Sequence, residues 1–380
     1  MNEFTVGIAR CETYDRDEVH TALHLAVERA GGLPAINVPD VLIKANLLSP
    51  SGPEKAVTTH PELLRAIVSE IGSTPVHIAD NPGYIFADVG TLMKKTGVAS
   101  LAEIDGVSVG MLSDLGLRSV CEKSFRALKD ARISSRYLDA GYCVNASKLK
   151  THVETEMTGC IKNIFGTADT STRKMAHAST SQRHLADAIV DLYSIRPPEF
   201  NILDAIIGME GDGPSHGAPV KIGFIIAGRN ALAVDWVAST VMGYGNPADI
   251  HLIAAAVERG IGPRHRGDIT LNGLEWDDLP LKGFKKSSGF VRAMPTALRG
   301  FVHKLVALTP KLSEPGCVSC WICKKVCPVD AISAEGRYPQ INARKCVRCL
   351  CCHEMCPTGA MTVHKNFLAS MVSRMRQRGE

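Results

Sequence analysis

Aromatic residues are scarce in this chain, at 5% of its 380 residues. No run of basic residues interleaved with aromatics offers a stacking platform, so nucleic acid is not expected as a partner. No uninterrupted apolar stretch reaches the roughly 20 residues needed to span a bilayer, and no transmembrane segment is expected. Met1-Asn2-Glu3 leads straight into a strand-like run, without the charged and apolar regions of a secretory signal. Neither G-x-x-x-x-G-K-[S/T] nor G-x-G-x-x-G occurs at the glycine-rich stretch 208–213, so neither common nucleotide-phosphate loop is present there.

What the chain has in quantity is cysteine, 13 residues, most of them near its C-terminus. The run Cys317-x-x-Cys320-x-x-Cys323-x-x-x-Cys327-Pro328 repeats as Cys346-x-x-Cys349-x-x-Cys352-x-x-x-Cys356-Pro357. Zinc ribbons use paired C-x-x-C knuckles, not two sets of four closely spaced cysteines. A tight C-x-x-C-x-x-C loop supplies three thiolates to one face of an iron–sulfur cube. In the bacterial two-cluster pattern the fourth comes from the Cys-Pro of the other half. This spacing predicts two [4Fe-4S] clusters, one on Cys317, Cys320, Cys323 and Cys356, the other on Cys346, Cys349, Cys352 and Cys327. Residues 313–364 thus resemble a two-cluster bacterial ferredoxin, a small α+β module. Cys351 is a ninth cysteine inside the second loop, read as a buried filler or as a replacement for Cys352. Thiolates awaiting metal need a reducing compartment, so a cytoplasmic location in an anaerobic or microaerobic host is expected.

Formal charge divides unevenly. Residues 281–380 carry 17 Lys+Arg against 5 Asp+Glu, leaving 26 against 34 for residues 1–280 out of the totals of 43 and 39. Two oxidised cubes, each about −2 with its thiolates, offset part of the basic excess. The remainder suits docking on the acidic core or on an acidic redox donor or acceptor.

Upstream, short apolar runs alternate with helical stretches, predicting an α/β domain with a mainly parallel sheet and helices on both faces. Strands are expected at 4–10, 41–43, 76–79, 142–145, 200–207 and 220–227. Helices are expected at 17–30, from about Pro61 to Ile71, at 180–195, and from a cap at Asn230 to Met242. Thr59 and Glu62 are placed to form a capping box, with Pro61 in the first turn. The expected organisation is a core at 1–285, an amphipathic helical linker at 286–312, the ferredoxin module at 313–364 and a basic tail at 365–380.

Ligands of open parallel sheets bind beyond the carboxyl ends of the strands. Several strands here end in polar sets: Lys44 and Asn46, Asp80 and Asn81, Asn145 through His152, and Asp204 through Asp212. His152, Glu154 and Glu156 alternate, and on a strand would share one face. With His60, His177 and His184 they are candidates for a metal. Cys160 is a candidate nucleophile without an evident base, and a packing role competes.

The motifs Lys44-Ala-Asn46, Thr58-Thr59-His60-Pro61-Glu62 and Ser147-Lys148-Leu149-Lys150-Thr151-His152 resemble the family called domain of unknown function 362. Gly159-Cys160-Ile161-Lys162-Asn163-Ile164-Phe165-Gly166, Asp204 through Gly211, and Ala233-Val234-Asp235 extend the resemblance across roughly residues 4–275. Members often carry a C-terminal two-cluster ferredoxin module, and the family is described mainly as uncharacterised iron–sulfur proteins of bacteria and archaea. On these motifs, Lys44, Lys148, Lys150 and Lys162 are expected to bind a small anionic ligand. Asn46, Thr58, Thr59, Asn163 and Glu210 would surround it, and His60 or His152 would act as proton donor. The expected function is a reductase that feeds electrons through two clusters to an anionic substrate or cofactor in the core. A non-catalytic electron carrier and a factor for iron–sulfur or metal-site maturation are the alternatives. A divalent metal or organic cofactor in the core, the substrate, and the oligomeric state are left open.

Overall fold

A computed structural model describes residues 3–83, 88–179, 181–287 and 308–365. The core strands are β1 (Thr5–Arg10), β2 (Val41–Lys44), β3 (Val76–Asp80), β4 (Val107–Met111), β7 (Cys143–His152), β8 (Glu156–Thr158), β9 (Phe200–Glu210), β10 (Ala218–Gly228) and β11 (Thr270–Asn272). Among the described residues they form one sheet in the order β11-β1-β10-β9-β7-β2-β3-β4, with β8 folded back on the end of β7. β5 (Leu117–Val120) and β6 (Ala131–Ser134) make a separate antiparallel pair. The pairings of β9, β7, β2, β3 and β4 with one another are parallel, whereas β10 runs antiparallel to both β1 and β9. The fold is therefore α/β with a mixed, mostly parallel sheet.

The two-residue period of a strand divides its side chains between two cores. Leu42, Cys143, Leu203 and Ile226 enter one, with helices Gln182–Ile195, Ala231–Val241 and His251–Glu258. Ile43, Val144, Ile202 and Ile225 enter the other, with helices Arg16–Arg29 and Pro61–Ile71. Both faces are thus covered, which is why these strands read as continuous apolar runs.

Three local expectations are corrected. The cap of helix Pro61–Ile71 is His60, whose side chain accepts from Glu62 N. Thr59 instead donates to Ala146 O and accepts from Asn46 N, tying the strand ends together. The glycine-rich stretch at 208–213 is no simple loop, because β9 continues to Glu210 before turning at Gly211, with φ of 78°. β7 does not stop at Asn145 but runs to His152, every residue buried.

Most of the expected amphipathic linker, 288–307, and all of the tail beyond 365 lie outside the described residues. The end of that linker, Leu308–Leu312, is a strand paired antiparallel with Met361–Lys365. It flanks the cysteine-rich segment, whose remaining elements are short helices Ile322–Val326 and Cys351–Glu354 and the pair Ile332–Ser333 with Gln340–Ile341.

Candidate functional site

The cysteine-rich segment folds as a repeat. Left-handed backbone falls at Ser319, Trp321 and Asp330 in the first half and at Arg348, Leu350 and Gly359 in the second. Each pair is 29 residues apart (348 − 319, 350 − 321, 359 − 330). Non-glycine residues occupy this region only where the surroundings demand it. Here two of them flank the middle cysteine of each loop and curl the chain around a small cavity. One cavity, of about 340 Å³, is lined by Cys317, Cys320, Cys323 and Cys356. The other, of about 320 Å³, is lined by Cys327, Cys346, Cys349 and Cys352, with Cys351 beside them. Four sulfur donors converging on each cavity suit a [4Fe-4S] group in composition. Ala331 N donates to Cys327 Sγ at 3.2 Å, the kind of bond that steadies a ligating thiolate.

A larger cleft of about 870 Å³, its open mouth included, lies where this module meets the core. The core contributes Asn46, Lys150, His152, Lys162, Asn163 and Arg173, while the module contributes Val326, Cys351, Glu354 and Met355. The core residues come from the carboxyl ends of β2 and β7 and from the segments after them, where parallel-sheet ligands bind. His152 Nε2 lies 3.2 Å from Glu354 Oε1 across the junction, and His216 contacts His353 O at 3.0 Å. Leu48 of the core packs with Ile322, Val326 and Met355.

The lysines named from the sequence divide into different roles. Lys44 Nζ is 2.6 Å from Asp80 Oδ1 and donates to Ala45 O, fully buried behind the cleft. Lys148 forms a closed ring with Asp204 (2.9 Å) and Tyr14 OH (2.7 Å), and Tyr14 OH donates to Asp204 Oδ1 at 2.7 Å. Lys150 donates to Asn46 Oδ1 and Val57 O, both neutral. Burial, then the neighbouring Lys162 and Lys148, push its pKa well below the usual lysine range. Lys162 makes no hydrogen bond or ion pair among the described residues and faces the cleft, its Nζ 5.6 Å from the Phe165 ring centroid. It is the cation best placed for a ligand.

The asparagines support this wall. Asn46 Nδ2 donates to Asn163 Oδ1 at 3.0 Å, and Asn163 Nδ2 donates to Asn145 Oδ1 at 2.8 Å. Arg173 Nη1 donates to Asn81 O and Pro82 O, while its buried Nε has no partner.

Other expected residues lie elsewhere. His60 stacks on Tyr14, with ring centroids 3.6 Å apart, and does not line the cleft. Burial pushes its pKa down to about 4, so it is a poor proton donor near neutrality. Thr58 and Thr59 are buried structural residues, and neither they nor Lys148 line the cleft. Glu210 accepts from Lys285 N and pairs with Lys285 Nζ, also away from it. Asp235 accepts from Cys160 N and Ile161 N, and burial raises the Cys160 thiol far out of the nucleophilic range. The shared face expected for His152, Glu154 and Glu156 does not form, because the chain reverses between His152 and Glu156, which pair across the β7–β8 hairpin. Glu156 instead meets His251 at 2.7 Å. His184 lies on helix Gln182–Ile195, outside the cleft lining.

Sequence reasoning missed Arg173, Glu354 and Met355. Glu354 is buried, and burial, followed by the nearby Glu154, raises its pKa to about 8. A carboxyl two residues past a cluster-type cysteine reads as a surface charge until the core is seen to cover it.

Residues 41–240 match the family model described as Domain of unknown function (DUF362), more than half of the chain. The chain belongs to this family. Residues 339–362 match a 4Fe-4S binding domain. Similar to the chain is the thylakoid-associated protein sll1697 of Synechocystis sp., 28% identical over 267 residues, 68% of this chain and 80% of that protein. Two solved structures align at low similarity. The lactate racemase apoprotein from Thermoanaerobacterium thermosaccharolyticum has a TM-score of 0.38 and 13% identity, over 62% of this chain and 58% of that one. A protein from Thermotoga maritima has a TM-score of 0.37 and 14% identity, over 57% and 56%. The chain thus spans less than two thirds of either solved structure. Among the described residues no helix is long and apolar enough to cross a membrane.

Proposed function

We propose that this protein is an iron–sulfur oxidoreductase that reduces a small anionic ligand in the cleft between its two parts, a core through residue 285 and a ferredoxin module at 313–364. One observation carries the reading: Cys351 lines both the second cysteine cavity and the cleft, so a ligand there would lie against the cluster loop. Cys317, Cys320, Cys323 and Cys356 would hold one [4Fe-4S] cluster, and Cys346, Cys349, Cys352 and Cys327 the other. Each such group supplies one electron, so two together provide the pair that a closed-shell reduction needs.

The chain's own residues serve the ligand. Lys162 and Arg173 attract its negative charge, and Asn46 and Asn163, bonded to each other and to Lys150 and Asn145, hold the wall it rests against. Lys150, held by neutral oxygens with its pKa lowered by burial, and Glu354, with its pKa raised by burial to about 8, are the groups placed to exchange protons there. His152 Nδ1 accepts from Glu154 N and Thr155 N, so its remaining ring proton sits on Nε2, facing Glu354. His152 thus lines the cleft beside Glu354 as a neutral imidazole.

The test is anaerobic mixing of the reduced, desalted holoprotein with a panel of small carboxylates and phosphate esters. A panel member that reoxidises the clusters, and does so at least about tenfold more slowly in Lys162→Ala, supports the reading. Reoxidation by none of them, with rapid reoxidation by an acidic redox protein, would make the chain an electron carrier instead.

A further inference from the structure

Glu154, His177 and Cys351 meet at the wall of the cleft, which His177 and Cys351 line, as a donor set that the lysines and the cysteine cavities leave unexplained. One ligand atom from each lies within 4.8 Å of the others. They arrive from three separate segments: the β7–β8 turn, the end of helix Thr170–His177, and the start of the module helix Cys351–Glu354. His177 and Cys351 are each only 8% exposed.

His177 Nδ1 and Glu154 Oε2 are 3.2 Å apart, yet both are buried without a hydrogen-bond partner. Such a pair usually closes into a hydrogen bond, since an unpaired buried polar atom costs about 1–3 kcal/mol. Two atoms that close, but not aligned on each other, can share a third centre. Ligands about 2.0–2.1 Å from a tetrahedral ion are about 3.3 Å apart, close to the separation seen.

We propose that Glu154, His177 and Cys351 bind a single divalent transition-metal ion of the zinc type. Thiolate, imidazole and carboxylate together select zinc or a similar borderline ion over magnesium or calcium, which take oxygen. Three protein ligands leave a fourth position open, as in zinc sites that act on a bound molecule. His177, Cys351 and Lys162 all line the cleft, so a ligand anion attracted by Lys162 would lie close to the metal. His152 is not in the set, because its Nδ1 is occupied by two backbone donors and its Nε2 carries the proton. The site gives the ninth cysteine of the module a role distinct from cluster ligation. It does not rest on the electron-transfer reading, since its readout is bound metal and not turnover.

The test uses the full-length, anaerobically reconstituted holoprotein, incubated with zinc and passed over a desalting column. About one zinc per chain is expected beyond the iron, falling below about a tenth in His177→Ala and in Cys351→Ala with iron unchanged. Zinc retained by His177→Ala, or iron lost from Cys351→Ala, would overturn the proposal. Should His177→Ala lose iron and zinc together through misfolding, zinc-edge X-ray absorption on the wild type decides. One sulfur with nitrogen and oxygen neighbours supports the site. Four sulfurs, or none, would place the zinc elsewhere.

Discussion

Replacing Lys148 by methionine separates a structural lysine from a ligand-binding one. Lys148 and Asp204 are both fully buried, and Lys148 Nζ gives Asp204 Oδ2 a 2.9 Å bond and Tyr14 OH a 2.7 Å bond. Removing one partner of a buried pair costs about 3–5 kcal/mol, because the other charge stays buried without compensation. Asp204 would keep Tyr14 OH and His60 N as donors. The lower end, about 3 kcal/mol, is therefore expected, or a fall of at least about 6 °C in thermal midpoint at about 2 °C per kcal/mol. Asp204→Asn should cost a similar amount. The double variant should recover about 2 kcal/mol relative to the sum, as groups in one network do. Urea unfolding followed by circular dichroism reads all three, with iron content as a control. A loss below about 1 kcal/mol, or strictly additive variants, would refute the reasoning. Unchanged stability with lost anion binding would return Lys148 to the ligand site.

Three further outcomes follow from the geometry. Cys320→Ser should lower the iron content from about eight to about four per chain, read by metal analysis and paramagnetic resonance. Asp235→Asn should cost about 2 kcal/mol in chemical unfolding, since Asp235 accepts from both Cys160 N and Ile161 N and an amide offers only one acceptor oxygen. His60, with its folded pKa pushed down from 6.5 to about 4, stays neutral while the unfolded chain takes up a proton. Stability should therefore fall as pH drops from about 6.5 toward 4, by about 2 kcal/mol after allowance for partial exposure. His60→Asn, which can still cap its helix, should flatten that part of the urea-midpoint profile.

The six expected strands and four expected helices were legible because period and caps are local properties, as where Asn230 caps Ala231–Val241, whereas β4, β8, β11 and the helices Thr170–His177 and His251–Glu258 were not foreseen. The cysteine spacing was legible for the same reason. What the sequence hid was the partner of each polar group. Lys44, Lys148 and Lys150 look alike along the chain, but one meets Asp80, one Asp204 and one only neutral oxygens. Thr59 fits a capping box by spacing, yet its hydroxyl is taken by Ala146 O across the sheet. Glu354 and Cys351 become site residues only because the module packs against the core, a long-range event with no local signature.

The most direct test of the account is an iron-edge anomalous map from anaerobically grown crystals of the full chain. Two four-iron groups are predicted, one within Cys317, Cys320, Cys323 and Cys356, the other within Cys346, Cys349, Cys352 and Cys327, with the second beside Cys351 in the cleft wall. A single group, or a second group distant from the cleft, would contradict it.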